Sequence, residues 1–533
     1  MRPVHAQSQC GETMARTRTS LRPALEVLEC RDTPAGTVLA TFAGGTLTLT
    51  GDSSANSLYI TQYSDDRLVI SGVLTGVRLN GGPMTGGLVL PAPVTGSITV
   101  NLGGGADTLT VAKVDLPGSL TINGGDGGNV VTFENGVTVH GNLTVTNGPD
   151  IDKTTLSGPL NVTGGLAIAN GPGGFNVFGD ATTDLQIGGT FAISGGAGPG
   201  NTIGLGAATR VAAGRIALNL GSQFNITDLT PVGPLTVAAG IRVTGGPGLD
   251  VVALGGATLS VGGGITVNAG GGDNDIKVQP AGSLSVGGTV SVTGGAGHDA
   301  VRVGGGGSAT AIGGGVVVSV GDGGSLAHLE GSELTVGGSI RMSAAAGVDE
   351  TNILAMDGGT IAGNVTVNQG ASNEQDVFVG TDTPARTLAI GGALNIASGD
   401  TVSAHDGNTV NLLSVSVGLG TTIATGSGHD LVKVNDSVFG GPFIVSTGDR
   451  GDQVLIEQQG TSGTTRFRGM VRVNTGGGTD VVGVGTVNIP DRAAFSGSSV
   501  WNGGAGTGDS IAIESWNTFY GTQPTTVGFE TVL

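Results

Sequence analysis

Aromatic side chains are nearly missing from this chain, since Phe, Tyr and Trp together make only 3% of 533 residues. A conventional globular core draws much of its buried area from such rings, so that kind of core is excluded. Lysine is as scarce, with Lys113, Lys153, Lys277 and Lys433 its only occurrences. With 41 acidic against 22 basic residues the formal net charge is -19. The summed field repels phosphate backbones, no basic cluster overrides it, and nucleic acid is not an expected partner. Cysteine occurs only at Cys10 and Cys30, so everything beyond residue 30 must be stable without disulfides. No run of 18 apolar residues exists, which excludes a membrane-spanning helix.

What the chain has is glycine, 105 residues of it, together with Val, Leu, Ile and Ala in a sequence of mean hydropathy +0.22. That hydropathy is too high for a polar disordered chain. Many small, often β-branched side chains must be buried against a backbone punctuated by glycine, and stacked short strands do this well. At this length two to four globular domains would be the default, but the repeat described below replaces that expectation with one continuous body.

Residues 1–35 stand apart, with Arg2, Arg16, Arg18, Arg22 and Arg31 and little glycine. They lack the apolar core of an ordinary secretory signal. The run from Leu21 to Ala35, Leu-Arg-Pro-Ala-Leu-Glu-Val-Leu-Glu-Cys-Arg-Asp-Thr-Pro-Ala, resembles the RPxLExLExRxxPA-type leader that opens many large bacterial extracellular and surface proteins, with Cys30 where such leaders commonly carry Asp. The resemblance implies an export or sorting segment, disordered or removed, and an extracellular or cell-surface location. Without it the same run reads as a short amphipathic helix stopped by Pro34. Residues 36–95 alternate in polarity, as in Thr46-Leu47-Thr48-Leu49-Thr50, and are expected to form an N-terminal β cap over the first coil.

Self-similarity dominates the rest. An Asp or Asn precedes apolar residues at offsets +2 and +4: Asp107 before Leu109 and Val111, Asn201 before Ile203 and Leu205, Asp250 before Val252 and Leu254, Asn274 before Ile276 and Val278, Asp299 before Val301 and Val303. The same frame recurs at Asn129, Asp430, Asp480 and Asp509. Two further apolar pairs per repeat, such as Ile265/Val267 and Leu284/Val286, supply the inward faces of two more strands. The pattern predicts an all-β, single-stranded parallel β-helix (β-solenoid) over 96–513, with roughly 24–25 residues and three short strands per coil. Residues 514–533 would form a C-terminal cap. Drift near Asn176, at 322–328 and 400–410 and beyond 450 predicts protruding loops. The pattern resembles the right-handed parallel β-helices of bacterial adhesins, filamentous-haemagglutinin-like proteins and polysaccharide-active enzymes, a resemblance of architecture that implies fold more than function.

The sharpest local signal is Gly-Gly-x-Gly-x-Asp, complete at Gly245–Asp250 and Gly294–Asp299, with near misses ending at Asp107, Asp430, Asp480 and Asp509. It resembles the calcium-binding turn of RTX proteins, which implies Ca²⁺ at Asp250, Asp299, Asp430, Asp480 and Asp509. RTX sites repeat every nine residues, however, whereas this turn comes once per coil. The other reading is that glycine supplies a corner and the Asx side chain hydrogen-bonds the turn backbone, with no cofactor required. Stacked Asx side chains would lie about 5 Å apart, so ionised neighbours repel unless Asn129, Asn201, Asn225 and Asn274 dilute them. Where Asp meets no Asn, as at Asp480 and Asp509, a cation would relieve the repulsion.

His298 and His429 precede turn aspartates but belong to distant coils, and Lys277, Arg302 and Lys433, like Arg242, Arg341 and Arg472, fall on outward strand positions. No nucleophile elbow or phosphate-binding loop occurs. The expectation is therefore a non-enzymatic secreted or cell-surface structural or adhesive solenoid, with glycans, cell-envelope components or other surface proteins as partners. The alternative is a carbohydrate-active β-helix enzyme, a polysaccharide lyase or hydrolase. It would need carboxylates and an Arg or Lys gathered in one cleft over adjacent coils, and aromatic platforms for sugar rings. A calcium-stabilised extracellular repeat protein is a further alternative.

Overall fold

The computed structural model describes residues 36–533 except 199, 222, 348, 373, 382–385, 402–405, 459–462, 487–491, 516 and 521–522. The leader-like run therefore lies outside the described residues. All regular structure among the described residues is β, and no helix there is long and apolar enough to cross a membrane.

The chain winds as a parallel β-solenoid of about 16 turns. Each strand pairs in parallel with the equivalent strand of the coils before and after it. Asp250–Leu254 lies between Asn225–Leu229 and Asp275–Val278, Thr258–Val261 between Leu235–Val237 and Ser283–Val286, and Ile265–Asn268 between Ile241–Thr244 and Val290–Thr293. Three such ladders enclose one core. Register follows the apolar alternation, because a slip of one residue would turn every inward side chain outward. Val252 pairs with Ile276, which pairs with Val301, and all three are buried.

Glycine is abundant because the coils stack backbone on backbone at the corners. At one corner an amide chain climbs the rod, Gly288 donating to Gly263, Gly314 to Gly288, Gly338 to Gly314 and Gly363 to Gly338, each at 2.8–3.0 Å. A Cβ on Gly288 would lie 2.8 Å from the Gly264 nitrogen, well inside van der Waals contact, so a side chain there would push adjacent coils apart.

The N-terminal end is closed by antiparallel pairing. Thr37–Ala43 pairs with Thr46–Thr50, Ser57–Gln62 with Leu68–Gly72, and Leu68–Gly72 with Gly87–Val89. The expected cap segment is also continuous with the rod, for Thr46–Thr50 pairs in parallel with Ile98–Asn101 and Ser57–Gln62 with Thr108–Leu116. Parallel stacking likewise runs on past residue 513 to Thr525–Val527 and Thr531–Val532.

The core changes along the rod. Its middle is a column of Val, Ile and Leu, whereas the C-terminal third stacks Phe439, Phe467, Phe495 and Phe519 at centroid separations of 5.3, 5.0 and 4.7 Å, with rings within 12° of parallel. Phe443 and Trp501 pack against this stack at steep angles. Trp501 is fully buried and so offers no platform to a sugar. Tyr63 and Tyr520 are exposed, while Trp516 lies outside the described residues.

Candidate functional site

The Asx residues singled out from the repeat form a single buried column at the entrance to the first ladder. Asp250, Asp299, Asp430, Asp480 and Asp509 are each no more than 1% exposed. Each carboxylate accepts from the coil before it. The Asp430 amide donates to Asp452 Oδ1 at 2.9 Å, Asp452 to Asp480 Oδ1 at 2.8 Å, and Asp480 to Asp509 Oδ1 at 2.9 Å. Side-chain amides join where asparagine is present. Asn225 Nδ2 donates to Asp250 Oδ1 at 2.5 Å and Asn274 Nδ2 to Asp299 Oδ1 at 2.8 Å.

In the middle of the rod the second carboxylate oxygens are also satisfied. Asp250 Oδ2 accepts from the Gly246 amide at 3.2 Å and Asp299 Oδ2 from Gly321 at 3.0 Å. This explains the first glycine of the motif, because a Cβ at Gly245 or Gly294 would run into the carboxylate of Asp250 or Asp299. Further on, Asp430 Oδ2 takes the Thr425 hydroxyl at 2.6 Å. The turn geometry thus has its own account in hydrogen bonding. Among the described residues no three His, Cys, Asp or Glu side chains converge as a preformed metal centre.

Toward the C-terminus four aspartates follow one another in the column, Asp430, Asp452, Asp480 and Asp509, and the Asp509 amide donates to Glu530. The Oδ2 atoms of Asp452, Asp480 and Asp509 are buried with no hydrogen-bond partner. Thr447 stands beside Asp452, but its hydroxyl donates to the Thr475 carbonyl at 3.2 Å. Burial, reinforced by Asp430 and Asp480, pushes the Asp452 carboxyl up to about 8. Burial also raises Asp430 and Asp480, and takes Asp107, Asp152 and Asp250 up to about 6. The common cause is the cost of holding a charge away from water.

The column contains members that the Asx frame passes over. Asp152, Ser325, Asp349, Gln375, Asn408 and Asp452 all occupy it in register. Asn408 and Asp452 carry apolar residues at +2 and +4 (Val410 and Leu412, Val454 and Ile456), so relaxing the spacing would find them. At Phe175 the column is interrupted by an aromatic ring, paired with Asp152.

Two successive members of the column, Ser325 and Asp349, border a cleft. Ser325 stands where neighbouring coils carry Asx, and around it opens a cleft of about 340 Å³. Asp349, Glu350, Glu374, Asp376, Arg302 and His298 are among the residues lining it. The arrangement gathers four carboxylates and an arginine over adjacent coils, the clustering set out above for a carbohydrate-active site, though without an aromatic platform. Asp349 is 2% exposed, and burial pushes its carboxyl up to about 6, with Asp322 raising and His298 lowering it further down the order of influence. Glu350 is held by His328 Nε2 at 3.1 Å, while His328 Nδ1 faces Glu330 at 3.2 Å. Arg302 leans toward Asp275 at 3.6 Å.

Elsewhere the outer faces carry shallow grooves, one of them floored by Ala167, Ala192 and Ala217 and edged by Arg242. These features define the class of the molecule, a repetitive β-solenoid with a polar Asx column inside one wall. No family model, no curated protein and no solved structure matches the chain.

Proposed function

We propose that this chain is a non-enzymatic structural or adhesive β-solenoid, working at a bacterial cell surface or outside the cell and binding glycans or other envelope components through its repeated strand faces. The observation that carries the reading is the repetition of the outward positions. In the third ladder Thr48, Thr99, Thr121 and Thr144 stand in register on successive coils, with Thr50, Asn101, Asn123 and Thr146 beside them. Such columns offer the same hydroxyl and amide groups every ~4.8 Å, and individually weak contacts sum along a rod. The leader-like run from Leu21 to Ala35 supports export. A glycan-array screen of the purified chain, with and without calcium, tests the reading. Binding that survives scattered single substitutions but falls when several coils of one face are changed is the expected result, and a chain that binds no glycan or envelope fraction would sink it.

One observation favours a second reading, a polysaccharide lyase or hydrolase: the carboxylate cleft around Ser325. Release of unsaturated or reducing sugars from uronide polymers, abolished by Asp349→Asn, would replace the first reading with this one.

A further inference from the structure

Asp349 differs from the aspartates of the middle column in what lies above it. Asp250 and Asp299 each receive a side-chain amide from the preceding coil, from Asn225 and Asn274. Asp349 receives from Ser325 only the backbone amide, onto Oδ1 at 2.9 Å, while the Ser325 hydroxyl is directed to the Gly321 carbonyl at 3.3 Å. Asp349 Oδ2 is therefore buried without a partner, at the edge of a cleft whose rim is acidic. Glu350 and Asp376 are direct cross-strand neighbours, an arrangement of like charges that is destabilising unless something compensates it. Glu350 has His328, but among the described residues no side-chain hydrogen bond or ion pair engages Asp376 or Glu374.

An uncompensated buried carboxylate oxygen, two unengaged carboxylates within one coil of it and open volume beside them together ask for a positive ion. We infer that the cleft around Ser325 is a divalent-cation site, with Asp349 as the buried ligand and Asp376 and Glu374 closing onto the ion from the rim. The donors are all hard oxygens and the rim side chains are free to turn, which suits the irregular, oxygen-rich shell of Ca²⁺ better than the rigid octahedron of Mg²⁺. The site is distinct from the glycine-rich turns, where the carboxylates of Asp250 and Asp299 are already saturated by protein donors. It does not depend on the adhesive reading, because an ion bound here would lock adjacent coils whatever the outer faces hold.

Calorimetric titration of the chelator-treated full chain with CaCl₂ tests it, with MgCl₂ in a parallel arm. Asp349→Asn is expected to fold, since asparagine serves the same column at Asn225 and Asn274. The expected result is one saturable calcium site, weakened by about tenfold or more in Asp349→Asn and less in Asp376→Asn, with a calcium-induced rise in Tm that disappears in Asp349→Asn. Calcium binding that is unchanged in Asp349→Asn, or that is lost in Asp250→Asn or Asp299→Asn instead, overturns the assignment, as does the absence of any binding.

Discussion

The middle of the rod and its C-terminal third solve the same problem with different residues. Both must place a hydrogen-bond acceptor under a buried amide at every coil. From Asn201 to Asp299 asparagine and aspartate are mixed, and amide side chains or glycine amides cover both oxygens of Asp250 and Asp299. From Asp430 to Asp509 the column is all carboxyl, three second oxygens are left over, and stacked phenylalanines share the coil interior with Val and Ile. The lesson is that the column's backbone role tolerates either side chain, but only asparagine brings the donor that makes its neighbour comfortable as an anion.

The two regions can be made to diverge or converge by substitution. The largest effect is expected from Phe467→Ala, which opens the aromatic stack between Phe439 and Phe495. Loss of about 3–5 kcal/mol is anticipated, read as a lower denaturant midpoint and as new proteolytic cleavage confined to the C-terminal coils. Val301→Ala in the middle column should cost distinctly less, and equal losses would contradict the distinction between the two cores.

Next comes Asn225→Asp, which gives the middle of the rod the character of the C-terminal stack. It removes the donor to Asp250 Oδ1 and sets two carboxyls one coil apart, so a loss of about 1–3 kcal/mol at neutral pH is expected, recovered on acidification. A pH-independent loss would mean that the amide contributes shape and not charge compensation.

The reverse change, Asp452→Asn, should be stabilising. The Asp452 carboxyl, raised by burial to about 8, holds its proton more tightly in the folded state than in the unfolded chain, where an Asp titrates near ~3.9. Its contribution is fully present below the unfolded value and is lost as pH climbs to about 8. The Tm of the C-terminal coils should therefore fall between pH 5 and pH 8. In the variant that slope should flatten and Tm at pH 8 should exceed the parent's, because the new amide meets Asp480 as the Asn225 amide meets Asp250. A parent whose Tm is constant across this range refutes the account. Smallest of all, Thr144→Ala on the outer face should change stability by no more than about 0.5 kcal/mol, so any change in glycan binding by this variant would report on the face and not on the fold.

The coil length, the three strands and the inward columns were legible because burial enforces period-two alternation, and Val252, Ile276 and Val301 stand in one column as the repeat requires. The Asx column was legible in part. Its Gly-Gly-x-Gly-x-Asp members stood out through glycine, but Ser325 and Gln375 occupy the same place without being Asx, and Asp452 escaped because it lies 22 residues after Asp430 and 28 before Asp480, off the regular period on both sides. The acidic cleft was not legible, since its residues lie on four successive coils and only the stacking register brings Glu350 beside Asp376. The loop predicted at 400–410 falls partly on residues outside those described.

The Asx column also has a direction. Its amides find their acceptors in the coil that follows, a side chain where Asp452 meets Asp480 and Asp480 meets Asp509, a backbone carbonyl where Asn225 meets Leu249 and Asn274 meets His298. A rod built only part-way would therefore leave the column amide of its last coil, among others, without the acceptor that the next coil brings. At the other end the antiparallel strands near residue 37 pair with one another and close the rod. The column thus carries a polarity along the rod, pointing away from the closed end, in the same order in which a ribosome would deliver the coils.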